Sequence, residues 1–420
     1  MHESGGGYRL RSGEGLRIAL LIAVVGFQLR AVIVGVAPVL PQIRDDLHLS
    51  FSAAGALTAI PVLSLGAAAI PGAHLVNRFG ARAVVALATA GIGLAALLRL
   101  APPEPLSLFL FSALMALCVA VVQPALAVFI RACFPTAIQR ASTVYATSLG
   151  IGGLCGATLS VPLLFVAGWR GTFVAWAMPI LAAACLWFLV VPRRGGRAVE
   201  SGRILELARE PAVWRVAGLF GAQSLVYYGT STWLPFDLRE AGPGTLTGAL
   251  LVLNLINLPL AAVLLLLRRP WATSRAFYAA SGVMMLAGSL GFAFGLTGMA
   301  WFWAGLLSVS IGMTFTGAMA LPPLLARRTG DVAGFSAIVL TAGYALAFMG
   351  PLAGGVLLDH VHRTSVPFWI HAAAALAIVC LGLTLPGVPP RLNRPERTAG
   401  APAEAAVSPA AAAPPAGSFR

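Results

Sequence analysis

The stretch RIALLIAVVGFQLRAVIVGVAPVL, residues 17–40, holds the two features from which this chain can be understood. It is an apolar run long enough for one membrane-spanning helix, because such a helix needs about 20 mostly apolar residues. In its middle stands Arg30, whose guanidinium stays charged at any biological pH. The run predicts a membrane helix, and its arginine requires a partner inside the membrane.

The composition of the whole chain indicates an integral membrane protein. Of its 420 residues, 59% are hydrophobic and only 10% are charged, whereas a soluble domain carries about 25% charged residues. The runs are too continuous for the alternating strands of an outer-membrane barrel, and backbone in lipid must satisfy its own hydrogen bonds, so we expect helices. The twelve predicted spans are 17–40, 53–76, 83–101, 106–130, 141–166, 171–191, 213–235, 246–267, 276–296, 299–325, 334–358 and 367–386.

The placement of arginine predicts the orientation in the membrane. All 28 basic residues are arginine, and 22 of them fall in segments that are cytoplasmic if the N-terminus is inside. This distribution satisfies the positive-inside rule and predicts an inner-membrane protein with both termini in the cytoplasm. The net charge of +14 is then explained by arginines that face anionic lipid headgroups, so we expect the lipid bilayer, and no nucleic acid, as a partner.

A long inner loop separates six spans from six, and similar sequences end the first span of each half: LPQIRDD (40–46) and LPFDLRE (234–240). Repeated halves are typical of transporters that alternate access around a midplane site. The tail has little to bury and is expected to be disordered. The predicted segments are a cytoplasmic segment (1–15), a six-helix bundle (16–192), an inter-bundle loop (193–211), a second six-helix bundle (212–387) and a cytoplasmic tail (388–420).

Arg30 has no carboxylate at its own depth, since none of the 14 acidic residues lies in the middle of a predicted span. A charge at the bilayer centre costs roughly 2.5–3.5 kcal/mol on insertion scales. Three interpretations remain open. Arg30 bonds to helix-end carbonyls and polar side chains and locks helices together, or it snorkels to an interface, or its negative partner is the substrate. The third interpretation predicts a transporter of a small anion.

Uncharged polar residues in the other spans are candidates for the rest of a binding site. Several recur at helical spacing, above all in span seven, but such groups are also common as hydrogen bonds between helices, so packing is the alternative. Gln28 is two residues from Arg30 and reaches the same pocket only if span one is locally irregular. The expected substrate-binding residues are Arg30, Gln28, Gln123, Gln223, Tyr227, Asn254 and Tyr344.

Glycine-rich stretches in spans five and eleven, GIGGLCG (150–156) and GPLAGG (350–355), let helices approach closely and bend. We therefore expect Gly156, Gly350 and Pro351 to belong to moving parts. His74 and His371 are either proton carriers or structural residues. No nucleophile–base pair, metal-ligand spacing or phosphate loop appears among the motifs, so we expect neither an enzyme nor a bound metal or cofactor.

Twelve spans in two halves, with NRFGAR (77–82) between spans two and three, resemble the major facilitator superfamily. In that loop Arg78, Gly80 and Arg82 match the family's motif, and the resemblance implies a gating role for them. Asn77 stands where the family usually has aspartate, which leaves the charge relay of that motif in question.

Within that superfamily the chain resembles the branch of cyanate and 2-nitroimidazole transporters, through QLRA (28–31), LPQIRDDLHLS (40–50), QSLVYYGTSTWLP (223–235) and GYALAFMGPLAGGVLLD (343–359). The resemblance implies an all-α membrane protein of twelve helices in two pseudo-symmetric bundles. It also implies a monomeric secondary transporter that moves a small anion (cyanate-like, a carboxylate or similar) or a small polar aromatic by a rocker-switch motion. The alternative is efflux of a neutral or weakly basic drug-like compound, with Arg30 structural.

Overall fold

The regular structure of the described residues is helical, and no strand occurs among them. The computed structural model describes residues 12–67, 69–102, 104–134, 137–191, 204–256, 271–326 and 331–385. The helices in chain order are α1 (Ser12–Val34), α2 (Leu40–Asp46), α3 (Phe51–Ala67), α4 (Ala69–Phe79), α5 (Ala81–Leu98), α6 (Glu104–Cys133), α7 (Ile138–Val190), α8 (Ile204–Leu207), α9 (Pro211–Asp237), α10 (Pro243–Leu255), α11 (Arg275–Ala293), α12 (Ala300–Leu325), α13 (Asp331–Ala347), α14 (Met349–Val361) and α15 (Pro367–Leu383).

These helices occupy all twelve predicted spans, although span eight is described only to residue 256. Seven helices in the described ranges are long and apolar enough to cross a membrane, and three more apolar helices are shorter: Phe51–Ala67, Pro243–Leu255 and Pro367–Leu383. The predicted inter-bundle loop and the predicted tail lie largely outside the described residues, as do the first eleven residues.

Predicted spans five and six both lie within α7, whose 53 residues form two helices that meet at Gly168, where φ and ψ are not helical. Its φ of 65° and ψ of −179° are open to glycine and costly for a residue with a Cβ. The break falls in the gap between the predicted spans 141–166 and 171–191. A single glycine therefore separates the two spans where the sequence predicts a loop.

The most polar of the predicted spans, α9, is also the most enclosed. Every residue from Leu219 to Phe236 is buried, and α9 packs against α12, α13 and α15. Because a helix that is buried all round is surrounded by protein rather than lipid, its amide and hydroxyl groups face other helices. This explains why α9 is absent from the seven helices that are apolar enough to span a membrane by composition alone.

We refer to described residues 12–191 as the first half and to described residues 204–385 as the second half. In the first half α1 packs against α7, and α5 against α6 and α7; in the second, α9 packs against α13, and α11 against α12 and α15. A Cβ at Gly156 would lie 2.6 Å from the carbonyl oxygen of Ala31, so glycine permits the close approach of α7 to α1. The halves meet where α3 contacts α13 and α14, and where α7 contacts α10.

Hydrogen bonds and an ion pair join the halves at the end of the molecule that holds α2, the start of α3 and the ends of α9 and α14. We call this the closed end. The Asp359 carboxylate accepts from the backbone N–H groups of Phe51 (2.8 Å) and Ser52 (2.9 Å), and Arg239 pairs with Asp45 at 2.7 Å. The orientation predicted from arginine placement makes this the outer face.

Candidate functional site

Arg30 lies on α1 and reaches across to the second half. Its Nη1 donates a hydrogen bond to the hydroxyl of Tyr228 on α9, at 3.1 Å. Its Cζ lies 5.4 Å from the ring centroid of Tyr227 and 5.6 Å from that of Tyr228, within the range of cation–π attraction. Gly153 of α7 leaves room for the arginine stem, because a Cβ there would be 3.0 Å from Arg30 Cγ. The guanidinium of this half-buried residue therefore faces two phenols of the opposite half.

Two further tyrosines face the same guanidinium. Tyr344 of α13 and Tyr145 of α7 both lie close enough to interact with it electrostatically. The ring of Tyr145 packs over Gly26, one turn before Arg30, where a Cβ would lie 2.9 Å from a ring carbon. Four of the six tyrosines in the chain thus converge on one arginine from three helices.

No carboxylate pairs with Arg30 among the described residues; its partners there are phenols. The ion pairs seen in the described ranges lie instead at or near the closed end. They are Arg44–Asp45, Arg170–Asp46, Arg170–Glu104 and Arg239–Asp45. The interpretation in which Arg30 snorkels to an interface does not fit, since the side chain points between the two halves at the level of the tyrosines.

Of the other predicted residues, those on α9 and α10 are joined by hydrogen bonds. The Tyr227 hydroxyl donates to Asn254 Oδ1 at 2.9 Å, and Asn254 Nδ2 donates to the Leu250 carbonyl at 2.9 Å. Gln223 donates from Nε2 to the Ser224 hydroxyl at 2.6 Å. Tyr227 and Asn254 therefore stand with Arg30 in one polar cluster, with Gln223 one turn of α9 away.

The two remaining predicted glutamines are not linked to Arg30 by any hydrogen bond of the described residues. Gln28 is only 5% exposed, and its Oε1 has no hydrogen-bond partner in the described part of the chain. Gln123 is half-buried on α6 beside Pro124. Their membership of a substrate site stays a prediction.

Tyr228 and Tyr145 were not predicted, although both face Arg30. The polar residues that recur at helical spacing in span seven include Gln223 and Tyr227, and Tyr228 lies about 100° around the helix from Tyr227. The rarity of tyrosine within the spans is the one sequence signal that would have included both residues. Their convergence on Arg30 depends on how α7 and α9 pack around α1.

The loop residues that match the family motif hold the first half together locally. Arg82 donates from Nε to the Val191 carbonyl at 2.5 Å and from Nη2 to the Phe188 carbonyl at 2.6 Å, joining the start of α5 to the end of α7. Gly80 is the N-cap residue just before α5, and its φ of 79° is a conformation favoured by glycine. Arg78 ends α4. A gating role for the three remains a prediction.

The predicted glycine and proline positions in spans five and eleven lie at helix contacts. Gly156 faces α1 within the first half, and Gly350 faces the Leu225 carbonyl of α9 within the second half. The Pro351 carbonyl instead lies against Gly55 of α3, in the other half. Pro351 therefore lies at a contact between the two halves, and a gating role for the three positions stays a prediction.

The two histidines differ in their surroundings. His371 on α15 is fully buried behind α9, with Nδ1 3.4 Å from the Thr230 hydroxyl and no partner for Nε2 in the described ranges. Gly229 admits the ring, because a Cβ there would overlap it. His74 is exposed on α4. Among the described residues no group of His, Cys, Asp and Glu is arranged to hold a metal ion.

Comparison with known proteins identifies the family. The sequence profile described as "Major Facilitator Superfamily" matches residues 18–348. The chain is 28% identical over 382 residues to the 2-nitroimidazole transporter of Escherichia coli (strain K12), covering 87% of this chain and 95% of that one. It is 24% identical over 368 residues to the cyanate transport protein CynX of the same organism, covering 87% and 96%. An uncharacterized transporter of Bacillus subtilis (strain 168), YycB, is 27% identical over 367 residues, covering 86% and 91%.

Solved structures agree on the fold. A D-xylose–proton symporter superposes with a TM-score of 0.69 at 15% identity, covering 89% of this chain and 98% of that one. A bacterial homologue of the human lysosomal transporter Spinster, in an inward-facing and occupied conformation, gives a TM-score of 0.68 at 15% identity and covers 90% and 95%. The predicted fold class and the predicted resemblance are both confirmed.

Proposed function

This chain belongs to the Major Facilitator Superfamily, and from that premise we propose that it is a secondary transporter of a small anion. It is a multi-pass membrane transporter and not an enzyme. The expected cargo is a small anion (cyanate-like, a carboxylate or similar) or a small polar aromatic, and the expected location is the bacterial inner membrane. Cyanate and 2-nitroimidazole appear in the names of two of its relatives, which supports cargo of this size.

The observation that carries the proposal is the set of partners around Arg30. Removing a guanidinium from water costs several kcal/mol unless a good partner replaces the water. One phenol hydroxyl at 3.1 Å and two ring faces offset part of that cost but bring no negative charge. An anion between α1 and α9 would supply the missing charge, and a hydrogen bond between ionised groups is about twice as strong as a neutral one.

The polar cluster of the second half would orient the anion. Tyr227 is held by Asn254 at 2.9 Å, so its ring is fixed beside the guanidinium. Tyr344 approaches from α13, and the hydroxyl of Tyr145 has no hydrogen-bond partner in the described ranges, which leaves it available as a donor. We include Gln223, Gln28 and Gln123 in the proposed site as more distant polar groups.

Alternating access would follow from rocking the first half against the second around this site. The structure has its halves joined at the closed end, and the Arg30–Tyr228 bond lies between the halves farther along the helices. An anion bound there touches both halves, so the barrier to rocking falls when the charge of Arg30 is neutralised.

The test is uptake by purified protein in liposomes. Cyanate and benzoate should enter along an imposed gradient, and Arg30→Gln should abolish uptake of both while the yield of folded protein stays similar. The matched control is Arg170→Gln, which removes an arginine from an exposed ion pair with Glu104 and should transport normally. If neutral solutes move equally well in wild type and in Arg30→Gln, Arg30 is structural and the drug-efflux alternative is preferred.

A further inference from the structure

The hydrogen bond between Arg30 and Tyr228 crosses from one half of the protein to the other. Arg30 belongs to α1 and Tyr228 to α9, 198 positions apart in the chain, and the donor–acceptor distance is 3.1 Å. The same phenol also presents its ring, with the centroid 5.6 Å from the guanidinium carbon. A neutral group of the second half thus occupies one donor of the cation that we assign to the substrate.

This contact affects how the transporter returns to its starting conformation after it has released its substrate. After each delivery a carrier must reorient, either empty or with a second cargo molecule. Reorienting empty requires that Arg30 pass between two cavities without an anion, and an unpaired cation in a low-dielectric constriction is costly. A side chain that partners Arg30 in the empty state lowers this cost, because the guanidinium then keeps a hydrogen bond and an aromatic face.

We propose that Tyr228 takes the place of the anion as the partner of Arg30 in the empty protein, so that the empty transporter reorients and the chain performs net transport rather than obligatory exchange. This inference rests on the proposed function, since it takes the cargo to be an anion that pairs with Arg30. The anion and the Tyr228 hydroxyl then compete for the same guanidinium donor.

Tyr228 is the member of the tyrosine group whose hydroxyl accepts a hydrogen bond of 3.1 Å from Arg30 in the described residues, although Tyr227 also lies close enough to interact with the guanidinium. The Tyr227 hydroxyl is engaged by Asn254, whereas the Tyr145 hydroxyl makes no hydrogen bond. Thr232 links the backbone around Tyr228 to the first half, because its hydroxyl oxygen lies 2.8 Å from the Tyr228 carbonyl and 3.0 Å from the Thr58 hydroxyl. The phenol is therefore held at the boundary between the halves.

The experiment compares two transport modes of the same proteoliposomes, with radiolabelled cyanate and benzoate as probes. Net uptake is measured into empty liposomes and exchange into liposomes preloaded with the same anion. For wild type we expect the two rates to be of the same order. In Tyr228→Phe, which keeps the ring and removes the hydroxyl, we expect net uptake to fall at least about tenfold more than exchange, since a hydrogen bond to a charged group is lost only from the empty state.

The affinity for the probe anion is a second measurement, and it should not fall as net uptake does. Because the hydroxyl competes with the anion, Tyr228→Phe should bind the probe anion as tightly as wild type or more tightly. A residue that merely held the substrate would bind it more weakly after the same change. The matched control is Tyr278→Phe, which removes a phenol hydroxyl from α11, where the ring packs against Phe277 and Gly382 rather than against Arg30; its ratio of net uptake to exchange should equal that of wild type.

A double variant separates the role of the hydroxyl from a folding defect. In the absence of substrate, and in a background without the five native cysteines, Tyr228→Phe should slow the reaction of Thr58→Cys with an impermeant maleimide, because reorientation slows. Adding Arg30→Gln removes the charge that needs a partner, so the double variant should recover the wild-type labelling rate. A misfolded protein would not be rescued by a second substitution.

Each result decides between the alternatives. Exchange without net uptake in wild type, or an equal fall of both rates in Tyr228→Phe, overturns the inference while the anion-transport proposal stands. Failure of wild type to move either anion in either mode overturns the proposed function and this inference with it. A lower ratio of net uptake to exchange with undiminished binding supports the role assigned to Tyr228.

Discussion

The carboxylate of Asp359, near the end of α14, accepts hydrogen bonds from both the backbone N–H, at 2.9 Å, and the hydroxyl of Ser52, in the first turn of α3. The N–H of Phe51 donates to the same carboxylate at 2.8 Å. The first N–H groups of a helix have no partner within it, and negative charge is favourable at that end. One side chain of the second half thus caps a helix of the first.

Substituting Asp359→Asn should open the closed end. The amide keeps one acceptor oxygen and loses the charge, and hydrogen bonds to charged groups are worth about 1.5–3 kcal/mol, so we expect a shift toward opening on the order of tenfold. The measurement is the alkylation rate of Thr58→Cys, in a background without the five native cysteines, by an impermeant maleimide. Thr58 lies against Thr232 of the second half.

The control for that experiment is Asp45→Asn, at the same end and also across the halves. Its pair with Arg239 is 2.7 Å long, but the side chains are 37% and 61% exposed, and such pairs contribute about 0–1 kcal/mol. We expect a change in alkylation rate within about threefold. If Asp45→Asn opens the protein as far as Asp359→Asn does, the loss of charge rather than of the helix cap is responsible.

The substitution Arg30→Lys should weaken anion binding without abolishing it. Lysine keeps the charge but lacks the planar fork of donors and stacks poorly on aromatic rings. We expect the affinity for the probe anion to fall about tenfold, read from the anion-dependent rise in melting temperature, since a ligand stabilises according to its concentration relative to Kd. Equal behaviour of Arg30→Lys and wild type would mean that only net charge matters.

Gly156→Ala should destabilise the first half. Its Cβ would lie 2.6 Å from the Ala31 carbonyl oxygen and 2.8 Å from its Cα, and overpacking of this kind costs about 1–3 kcal/mol. The measurement is thermal unfolding in detergent. Gly244→Ala in α10 is the matched control, because nothing lies within 4 Å of its Cβ position and alanine is favoured over glycine in a helix by about 1 kcal/mol.

Arg99 provides a contrast to Arg30, because it is buried away from the tyrosine group. It is 1% exposed, Nη2 lies 2.8 Å from the Met115 sulfur, and its Nε has no partner in the described ranges. Replacing buried charge by an apolar group of similar volume is often neutral or stabilising. Arg99→Met should therefore melt at or above the wild-type temperature and keep the anion-dependent shift. A lower melting temperature would show that the charge is needed.

The class of protein could be predicted from the sequence because each membrane-spanning segment must satisfy its own backbone hydrogen bonds in lipid. A run such as 17–40 must be helical wherever it is placed in the bilayer. The isolation of Arg30 from acidic residues was also visible, since depth in the membrane follows from position along a span. The polar residues of spans seven and eight placed Tyr227 and Asn254 separately among the candidates, and the structure joins the two by a hydrogen bond. The sequence pattern could not tell packing from cavity lining, so their role in a substrate site stays a prediction.

The contacts between the halves could not be predicted in this way. Asp359 and Ser52 are 307 positions apart, and nothing in either stretch specifies the other. Gly156 and Gly350 were expected to belong to moving parts, whereas the structure places each at a close contact within its own half. Their part in the transport motion stays a prediction, and Pro351 is the member of that set at the boundary between halves.

The sequence by itself determined that this chain is a bundle of membrane helices and that it resembles a transporter family. It also determined that Arg30 lies in the middle of a predicted span with no acidic residue at the same depth. These properties depend on the solvation of each segment, which its own residues decide. Only the tertiary structure decided that Tyr228 and Tyr145 would join Tyr227 around Arg30, and that Asp359 would cap α3. Those pairings depend on which helices pack together. In lipid the hydrophobic effect does not favour one apolar helix face over another, so close packing between the helices decides which faces meet.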